Sequence, residues 1–434
     1  MGSSIPKGVL FRLSVPEPGS KTILAAWNDG WNGGVLRSED GGEHWRPWEK
    51  TLNADTSSDP TRVWADSNGR VTALKADPFH KKVLFRTDWW GVWRSDDGGV
   101  TWNEKIKGSP NSVATDVAIS DSGEVYVATM DNGLLKSSDG GKTYQPLFPA
   151  KDYAEDVNGH VWRVLLSGEK VLAASSPWNL GYDQVISSHD RGMTFKKNRK
   201  GLPTKRPKVN TVWDQGYIRA LAIHPKNPDT VYLGIDGDDG GGFFISRDGG
   251  ASWTRPQNQP GSLKIYNGLA VDPEDPQRIL WGASGIGAGV YLSEDGGNSW
   301  RLTHGSPAMK YVFDVAFGPL GRAYAAGEDN EGPALYVSQD SGRNWKLQKR
   351  FEGKGSAKGL CPLPDGRVVV GVVRWHAKAP GRIYLGSRDG QVWENIDGDL
   401  PEGDGHAALT YSQKQKILYL ARYAGSVYKW KMDG

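Results

Sequence analysis

The sequence predicts an all-β chain that folds as a single closed β-propeller of about nine four-stranded blades, with eight as the alternative. The first observation is a turn of constant composition that recurs eight times along the 434 residues. The second is that the segments between these turns are short and rich in β-branched and aromatic residues, as strands are. The third is composition, because 57 Gly and 19 Trp are typical of many short strands joined by tight turns.

The recurring turn sets the length of the repeat. It reads "RSEDGGEHW" at 37–45 and "RSDDGGVTW" at 94–102, and later copies keep the acid, the glycine and an aromatic residue. Successive acids are between 42 and 58 residues apart. A period near this length with four strand-like pieces is typical of propeller blades. The aligned acids are Asp40, Asp97, Asp139, Asp190, Asp248, Asp295, Asp340 and Asp389.

One repeat shows the four pieces in order. "IRALAIHP" (218–225) and "TVYLGID" (230–236) predict the first two strands, and a Pro/Asn/Asp turn joins them. "GGFFISRD" (241–248) predicts the third strand and "ASWTRP" (251–256) the fourth. A helical period is absent almost everywhere, which argues against a parallel α/β fold.

We expect one domain over residues 1–434. The ninth repeat lacks a turn box and a fourth strand, and the N-terminus ahead of "GVLFRLSV" (8–15) is expected to supply that strand and seal the ring. The predicted blades lie at about 8–48, 71–106, 113–148, 161–198, 218–256, 266–303, 312–348, 355–396 and 406–432.

Charge and composition exclude several classes of function. Lys and Arg number 53 against 50 Asp and Glu, so the chain as a whole has no basic footprint for nucleic acid. No apolar run approaches the length of a membrane span. The single Cys361 excludes an intrachain disulfide framework and a Cys-rich zinc site. The opening "MGSS" is typical of an expression tag, and we expect an extracellular or periplasmic protein that is monomeric.

The turn boxes themselves are expected to be structural. The carboxylate can accept backbone N–H groups of its own hairpin, the glycines permit positive φ, and the aromatic ring packs between blades. We therefore expect these acids to be neither catalytic groups nor metal ligands.

The candidate ligand site is the mouth of the propeller where the loops between second and third strands gather. Indoles stand beside acids and amides in these loops, and a flat aromatic face suits the apolar face of a sugar ring. The predicted substrate-binding residues are Trp27, Trp31, Arg86, Trp89, Trp90, Trp178, Trp213, Arg219 and Trp375.

The turn box resembles the Asp box shared by bacterial sialidases, sortilin-type propellers and family-74 xyloglucanases. The segment "VTALKADPFHKKVLFRTDWWGVWRSDDGG" (71–99) further resembles the first-blade pattern of the xyloglucanases. That resemblance implies that Asp88, preceded by Arg86 and Thr87, is a catalytic carboxylate. The family has two propellers with one carboxylate on each, and this chain is about half as long, so the resemblance assigns no second carboxylate.

A glycoside hydrolase usually needs a second carboxyl group beside the first. The candidates are Asp29, Asp236 and Glu328, all in loops expected at the same mouth. Asp238 and Asp239 could instead bind calcium, since clustered carboxylates suit that ion. No cofactor is otherwise expected, and the expected partner is a polysaccharide or oligosaccharide.

Two other functions stay open at this point. A polysaccharide lyase acting on uronic-acid glycans would use arginines to bind the uronate and a His or Tyr as the base. A non-catalytic propeller that binds glycan or protein is the other alternative, because this fold hosts receptors and assembly factors as well as enzymes. The residues that would serve the lyase are Arg86, Arg163, Arg219, Arg374, Arg422, His160, His376 and Tyr182.

Overall fold

The computed structural model describes most of the chain. The described residues are 9–15, 19–28, 33–53, 71, 73–77, 79–80, 82–87, 92–105, 114–130, 133–141, 143–148, 160–176, 181–207, 217–237, 240–260, 268–285, 287–305, 308–373, 381–398, 400, 406–422 and 427–432. This part of the chain contains no helix, and therefore no helix long and apolar enough to cross a membrane.

The described residues form nine sheets, six of them four-stranded, which confirms the prediction of an all-β propeller chain and agrees with about nine blades. In sheets 1 and 3–9 consecutive strands are antiparallel neighbours in chain order, as in propeller blades. Sheet 1 contains β1 (Val9–Ser14), β2 (Ile23–Asn28), β3 (Gly33–Ser38) and β4 (Arg46–Pro47). Sheet 2 contains β5 (Thr51–Asn53), β6 (Ala73–Ala76), β7 (Leu84–Thr87), β8 (Val92–Ser95) and β9 (Thr101–Glu104).

Sheets 3–6 follow along the chain. Sheet 3 contains β10 (Ala114–Ile119), β11 (Val125–Thr129), β12 (Leu134–Ser137) and β13 (Gln145–Phe148). Sheet 4 contains β14 (Val161–Ser167), β15 (Lys170–Ser175), β16 (Gln184–Ser188) and β17 (Lys196–Asn198). Sheet 5 contains β18 (Ile218–Ile223), β19 (Val231–Ile235) and β20 (Gly242–Ser246). Sheet 6 contains β21 (Leu269–Val271), β22 (Ile279–Ala283), β23 (Gly289–Ser293) and β24 (Arg301–Leu302).

Sheets 7–9 complete the chain. Sheet 7 contains β25 (Met309–Phe317), β26 (Ala323–Asp329), β27 (Gly332–Ser338) and β28 (Lys346–Arg350). Sheet 8 contains β29 (Ser356–Pro362), β30 (Val368–Val373), β31 (Arg382–Gly386) and β32 (Trp393–Asn395). Sheet 9 contains β33 (His406–Ser412), β34 (Ile417–Arg422) and β35 (Val427–Lys431).

Sheet 5 differs from its predicted four strands. The segment expected as its fourth strand, 251–256, contributes only one bridge to this sheet, between Ile245 and Thr254, and a second bridge joins its Ser252 to Lys200. The side-chain amide of Gln259 accepts a hydrogen bond from Phe243 N at 2.7 Å and donates one to Phe243 O at 3.2 Å. A side chain thus satisfies the backbone groups that a longer fourth strand would have paired.

The eight turn boxes share a hydrogen bond from the serine hydroxyl to the aspartate carboxylate. In the second box, the Ser95 hydroxyl donates to Asp97 Oδ1 at 2.8 Å, and Asp97 Oδ1 accepts the N–H groups of Val100 and Thr101 at 3.0 and 2.9 Å. The Trp102 indole N–H donates to Gly99 O at 3.0 Å, and Gly99 has φ +93°. The serine-to-aspartate bond recurs in every box, at Ser38, Ser95, Ser137, Ser188, Ser246, Ser293, Ser338 and Ser387.

Residues 112–434 form a compact unit of seven sheets, sheets 3–9. The first strands pack against each other in order from β10 through β14, β18, β21, β25 and β29 to β33. An apolar cluster fills each interface, as between sheets 3 and 4 and between sheets 8 and 9. The strand β33 then packs against β10, so the seven sheets form a cycle of neighbours around one axis.

The contact that completes this cycle is well packed. Ala408, Tyr419 and Ala421 of sheet 9 share a cluster with Val117 and Val127 of sheet 3. The hydroxyl of Thr410 on β33 donates to Val117 O on β10 at 2.8 Å, and Lys429 Nζ donates to Gly140 O at 2.7 Å. The sequence analysis placed the closing contact of a nine-blade ring between the last repeat and the N-terminus, whereas sheet 9 packs on sheet 3. Residues 1–8, which were expected to add a strand to sheet 9, lie outside the described residues.

Residues 1–111 form a second compact unit that contains sheets 1 and 2. Their shared core includes Leu24, Leu84, Trp93 and Trp102. The chain leaves sheet 1 after β4, and β5 then pairs parallel to β9. It therefore covers the outer edge of sheet 2. Whether 1–434 is one domain stays a prediction.

The box hydrogen bonds predict a difference between two neighbouring acids. Asp97→Ala removes the acceptor of Ser95, Val100 and Thr101 and should lower the free energy of unfolding by roughly 1–2 kcal/mol. Asp96→Ala, which removes only an exposed ion pair with Arg94, should change it by less than about 0.5 kcal/mol. Urea titration of both variants checks this, and equal destabilisation would contradict a structural role for the box.

Candidate functional site

The seven first strands of sheets 3–9 surround the axis of the larger unit, and several carry a β-bulge near their start. The pairing register shifts between Ala114 and Asp116, between Val161 and Arg163, and between Val312 and Asp314. A bulge turns side chains to a new direction and often lies next to a functional site. Here it precedes three charged residues, Asp116, Arg163 and Asp314, which we call the axial cluster.

Asp116 and Arg163 join two neighbouring sheets in this cluster. Arg163 Nη1 lies 3.5 Å from Asp116 Oδ1, and Val164 N donates to Asp116 Oδ2 at 3.1 Å. The Arg163 Nε donates in turn to Arg219 O at 2.7 Å, which extends the chain of contacts to sheet 5. Burial raises the pKa of Asp116, and the Arg163 charge and the backbone N–H groups oppose that rise.

Asp314 occupies the corresponding place in sheet 7 but has a different neighbour. Its Oδ2 accepts the N–H of Leu360 on sheet 8 at 3.0 Å, where sheet 4 offers Arg163 and Val164 to Asp116. Burial raises the pKa of Asp314 to about 7, the Arg163 charge lowers it, and the Asp116 charge adds to the rise. A carboxyl group that titrates near neutral pH is a candidate for proton transfer.

The rim of the mouth beside sheets 4 and 5 is an alternating stack of arginine and aromatic side chains. The guanidinium of Arg219 lies 3.8 Å from the Trp162 ring centre and 5.0 Å from that of Tyr217. Arg206 lies 4.9 Å from the same Tyr217 ring and makes a 2.6 Å ion pair with the buried Asp183. These contacts fix the rim in one geometry.

Two predicted catalytic acids lie at this end of the larger unit. Asp236 follows β19, is buried, and accepts a hydrogen bond from Arg219 Nε at 3.2 Å. Glu328 near the end of β26 is half-buried and accepts a hydrogen bond from the Ser356 hydroxyl at 2.9 Å. The predicted ligand residue Arg219 is therefore paired with Asp236 and stacked on Trp162. These positions leave Glu328 as the more accessible of the two acids.

Two predicted ligand residues lie in the smaller unit. Arg86 is fully buried, forms an ion pair with Glu49, and stacks 5.2 Å from the centre of the Trp93 ring. It belongs to the core of sheets 1 and 2, and not to an exposed mouth as the sequence analysis expected, because Glu49 and the rings of Trp93 and Trp102 surround its guanidinium. Trp27 is half-buried on β2, directly across from Gly34 on β3.

The remaining predicted residues are two catalytic candidates, two calcium candidates and six indoles. The catalytic candidates Asp29 and Asp88 lie outside the described residues, as do the calcium candidates Asp238 and Asp239. The same holds for the indoles Trp31, Trp89, Trp90, Trp178, Trp213 and Trp375. In the described part of the chain, one group of possible metal ligands is present, formed by Asp40, Glu43 and His44. Asp40 is the acid of the first turn box, so its oxygens already accept bonds from Ser38 and His44.

Sequence reasoning named Arg163 as a candidate lyase residue but missed Asp116 and Asp314, the two acids of the axial cluster. Asp116 and Asp314 stand inside strands, and no motif surrounds them. The available signal was a charged residue at the same position in three repeats, but a one-residue bulge hides that equivalence from strand periodicity. Three of the arginines considered for a lyase form ion pairs with acids of this chain, namely Arg86, Arg163 and Arg219.

No family model matches the chain. It is 26% identical over 261 residues to the xyloglucanase Xgh74A of Acetivibrio thermocellus, which is 51% of this chain and 28% of that protein. It is 25% identical over 229 residues to a probable oligoxyloglucan-reducing end-specific xyloglucanase of Neosartorya fischeri, which is 45% of this chain and 28% of that protein. The chain therefore spans only about a quarter of the length of these curated relatives.

Solved structures with the same architecture are propellers. An ancestral GH74 enzyme superposes with a TM-score of 0.65 and 14% identity, over 98% of this chain and 72% of that one. YCF48 bound to a D1 peptide superposes with a TM-score of 0.54 and 16% identity, over 74% of this chain and 94% of that one. At these identities the likeness shows the fold, and the prediction of an all-β propeller is confirmed.

The axial cluster predicts that stability falls as pH rises. Asp314 has a higher pKa in the folded chain than its ordinary 3.8, so its contribution is fully present below pH 4 and is lost as pH rises through about 7. Asp314→Asn keeps an acceptor for Leu360 N and removes the charge. At pH 8 it should be more stable than the parent by about 1–4 kcal/mol, and at pH 4 by much less.

Urea titrations at pH 4, 6 and 8 measure this difference. Asp121→Asn, in an exposed turn of sheet 3, is the matched control and should follow the parent at every pH. A difference between Asp314→Asn and the parent that does not grow with pH would contradict the assigned ionisation.

Proposed function

We propose that this chain is a polysaccharide-active glycoside hydrolase whose substrate is a plant glycan of the xyloglucan type. The observation that carries the proposal is the sequence similarity to xyloglucanases over about half of the chain. The GH74 propeller fold supports it, although a fold by itself does not determine a reaction. An extracellular or periplasmic location and a monomeric state accompany the proposal.

The proposed chemistry uses a carboxylate pair. Asp88 is the first member, on the resemblance of its surrounding motif to the xyloglucanases. The second member stays open between Asp29, Asp236 and Glu328. Of the two that lie in the larger unit, Glu328 is half-buried and accepts a hydrogen bond from Ser356, whereas Asp236 is buried and accepts one from Arg219. One carboxyl would protonate the leaving oxygen while the other acts as base or nucleophile.

A non-catalytic role in peptide binding is the second candidate. Its support is the likeness to YCF48, whose structure holds a D1 peptide and matches over 94% of that protein's length. The lyase alternative is less favoured, because the charges of Arg163 and Arg219 are already balanced by Asp116 and Asp236. A uronate would have to displace those carboxylates before it could bind.

If sugar rings stack on the paired indoles, removal of these indoles should weaken glycan binding. Replacing Trp89 and Trp90 with Ala should weaken the affinity for xyloglucan oligosaccharides by roughly 1–3 kcal/mol per stacking contact. Calorimetric titration measures this. Trp48→Phe, a substitution within the core of sheets 1 and 2, is the control and should leave affinity unchanged. If both variants bind as the parent does, the indoles do not contact the glycan.

Loss of the catalytic charge predicts a loss of turnover with binding retained. Asp88→Asn keeps the shape of the side chain and should lower hydrolysis of the best xyloglucan substrate at least about 100-fold. A reducing-end assay measures hydrolysis, and absorbance near 235 nm reports any lyase product. Near-parental activity of the variant would refute the role of Asp88, and activity on no glycan by the parent would favour the peptide-binding candidate.

A further inference from the structure

The strongest local charge of the chain lies in one segment of sheet 4 and the loop after it. From Arg191 to Trp213 the sequence contains eight basic residues and no Asp or Glu. The whole chain has a net charge of only +3, so this segment is more basic than its surroundings. A cluster of one sign on an otherwise balanced surface is a footprint for a partner of the opposite charge.

The structure places this charge along the outer edge of sheet 4. Lys196 begins β17, Lys200 lies just beyond its end, and Lys205 follows in the loop; all three are exposed, while Arg199 is half-buried. We call these four residues the basic strip. With about 3.3 Å per residue in extended chain, Lys196 and Lys200 stand about 13 Å apart. Beyond Lys205 the chain reaches Arg206, whose ion pair with Asp183 belongs to the rim of the mouth.

The charges of the basic strip are not balanced by nearby acids. Within the described ranges, no carboxylate makes an ion pair with any of its four members. The basic residues on either side are engaged, since Arg191 pairs with Glu169 at 3.1 Å and Arg206 pairs with Asp183. The strip therefore offers four uncompensated cations to a ligand without first breaking an ion pair.

The geometry limits what kind of polyanion fits. Single-stranded nucleic acid needs open aromatic faces on which bases stack, but the Tyr182 ring is covered by the Arg199 guanidinium at 3.3 Å. A peptide that adds a strand needs a long free edge, whereas β17 has three residues and the Lys200 carbonyl beyond it already accepts Trp253 N at 2.8 Å. A polyanion that carries regularly repeated charges, and that needs neither backbone pairing nor base stacking, is compatible with both the covered Tyr182 ring and the short edge of β17.

We propose that the basic strip binds an anionic glycan, a polysaccharide with uronate carboxylates, along the outer edge of sheet 4. Lys196, Lys200 and Lys205 attract the carboxylates, and Arg199 is pre-oriented by its stack on Tyr182 for a planar contact with one of them. The choice of a glycan over other polyanions rests on the proposed function. Binding at the strip would hold the protein on mixed plant polysaccharide while the mouth acts on a neutral chain.

The test uses the whole chain and sodium polygalacturonate as the probe, with calorimetry at 50 and 500 mM NaCl. The strip variant carries Lys196→Gln, Lys200→Gln and Lys205→Gln. The control carries Lys75→Gln, Lys346→Gln and Lys354→Gln, three exposed lysines elsewhere with the same change in net charge. The parent and control should bind at 50 mM NaCl, and the strip variant should bind roughly tenfold or more weakly. Thermal melts should coincide for all three, because the substituted side chains are exposed.

Several results would overturn the proposal. One is equal binding by the strip variant and the parent, and another is an equal loss in the control, which would show a response to net charge alone. Equal or tighter binding of poly-L-glutamate would assign the strip to an acidic peptide, and absence of parental binding to polygalacturonate would remove the ligand. Asp88→Asn should bind polygalacturonate as the parent does. If the parent binds polygalacturonate but hydrolyses no glycan, the proposed function fails and the strip assignment stands.

Discussion

Each sheet of the larger unit has two apolar faces, and both must be covered by another sheet. This constraint organises residues 112–434. A blade such as sheet 4 places Val171 and Ala173 of β15 against sheet 3, and Leu172 and Ala174 against sheet 5. Because alternate residues of one strand face opposite neighbours, no sheet can bury itself by pairing with only one partner. A cycle of seven sheets satisfies this requirement without leaving an end, and the cluster between sheets 9 and 3 completes it.

The turn boxes also help to cover the apolar faces of the sheets, at the outer edge of each blade. The serine, aspartate and backbone bonds of each box hold the hairpin, and they place a box aromatic residue against the sheet interface. The network favours the ionised aspartate. At Asp97, burial opposes ionisation, but bonds from Thr101 and Ser95 outweigh it and lower the pKa. The stability that these bonds contribute is therefore present above pH 4 and is lost in acid, whereas the contribution of Asp314 is present below pH 4 and is lost as pH rises through about 7.

Some charged residues of the described part of the chain form ion pairs and others do not. The paired residues hold the sheets in place, and the residues without an ion pair are the candidates for ligand binding. Arg163, Arg206 and Arg219 each meet a carboxylate, and they hold neighbouring sheets and the rim in place. Glu328 at the mouth and the lysines of the basic strip have no such ion pair in the described part of the chain. A ligand can bind the second group without first breaking an ion pair.

The sequence alone determined the repeat, the four-stranded blade and the turn box, because each depends on residues within one hairpin. Ser95 and Asp97 lie two residues apart, so their bond is local and visible as a motif. It did not determine which sheets close the ring, since β10 and β33 meet across almost three hundred residues, as in the 2.8 Å bond from Thr410 to Val117. Nor did it show the axial cluster. Asp116, Arg163 and Asp314 lie far apart along the chain and are brought together only when the first strands surround one axis, where burial gives Asp314 its shifted pKa.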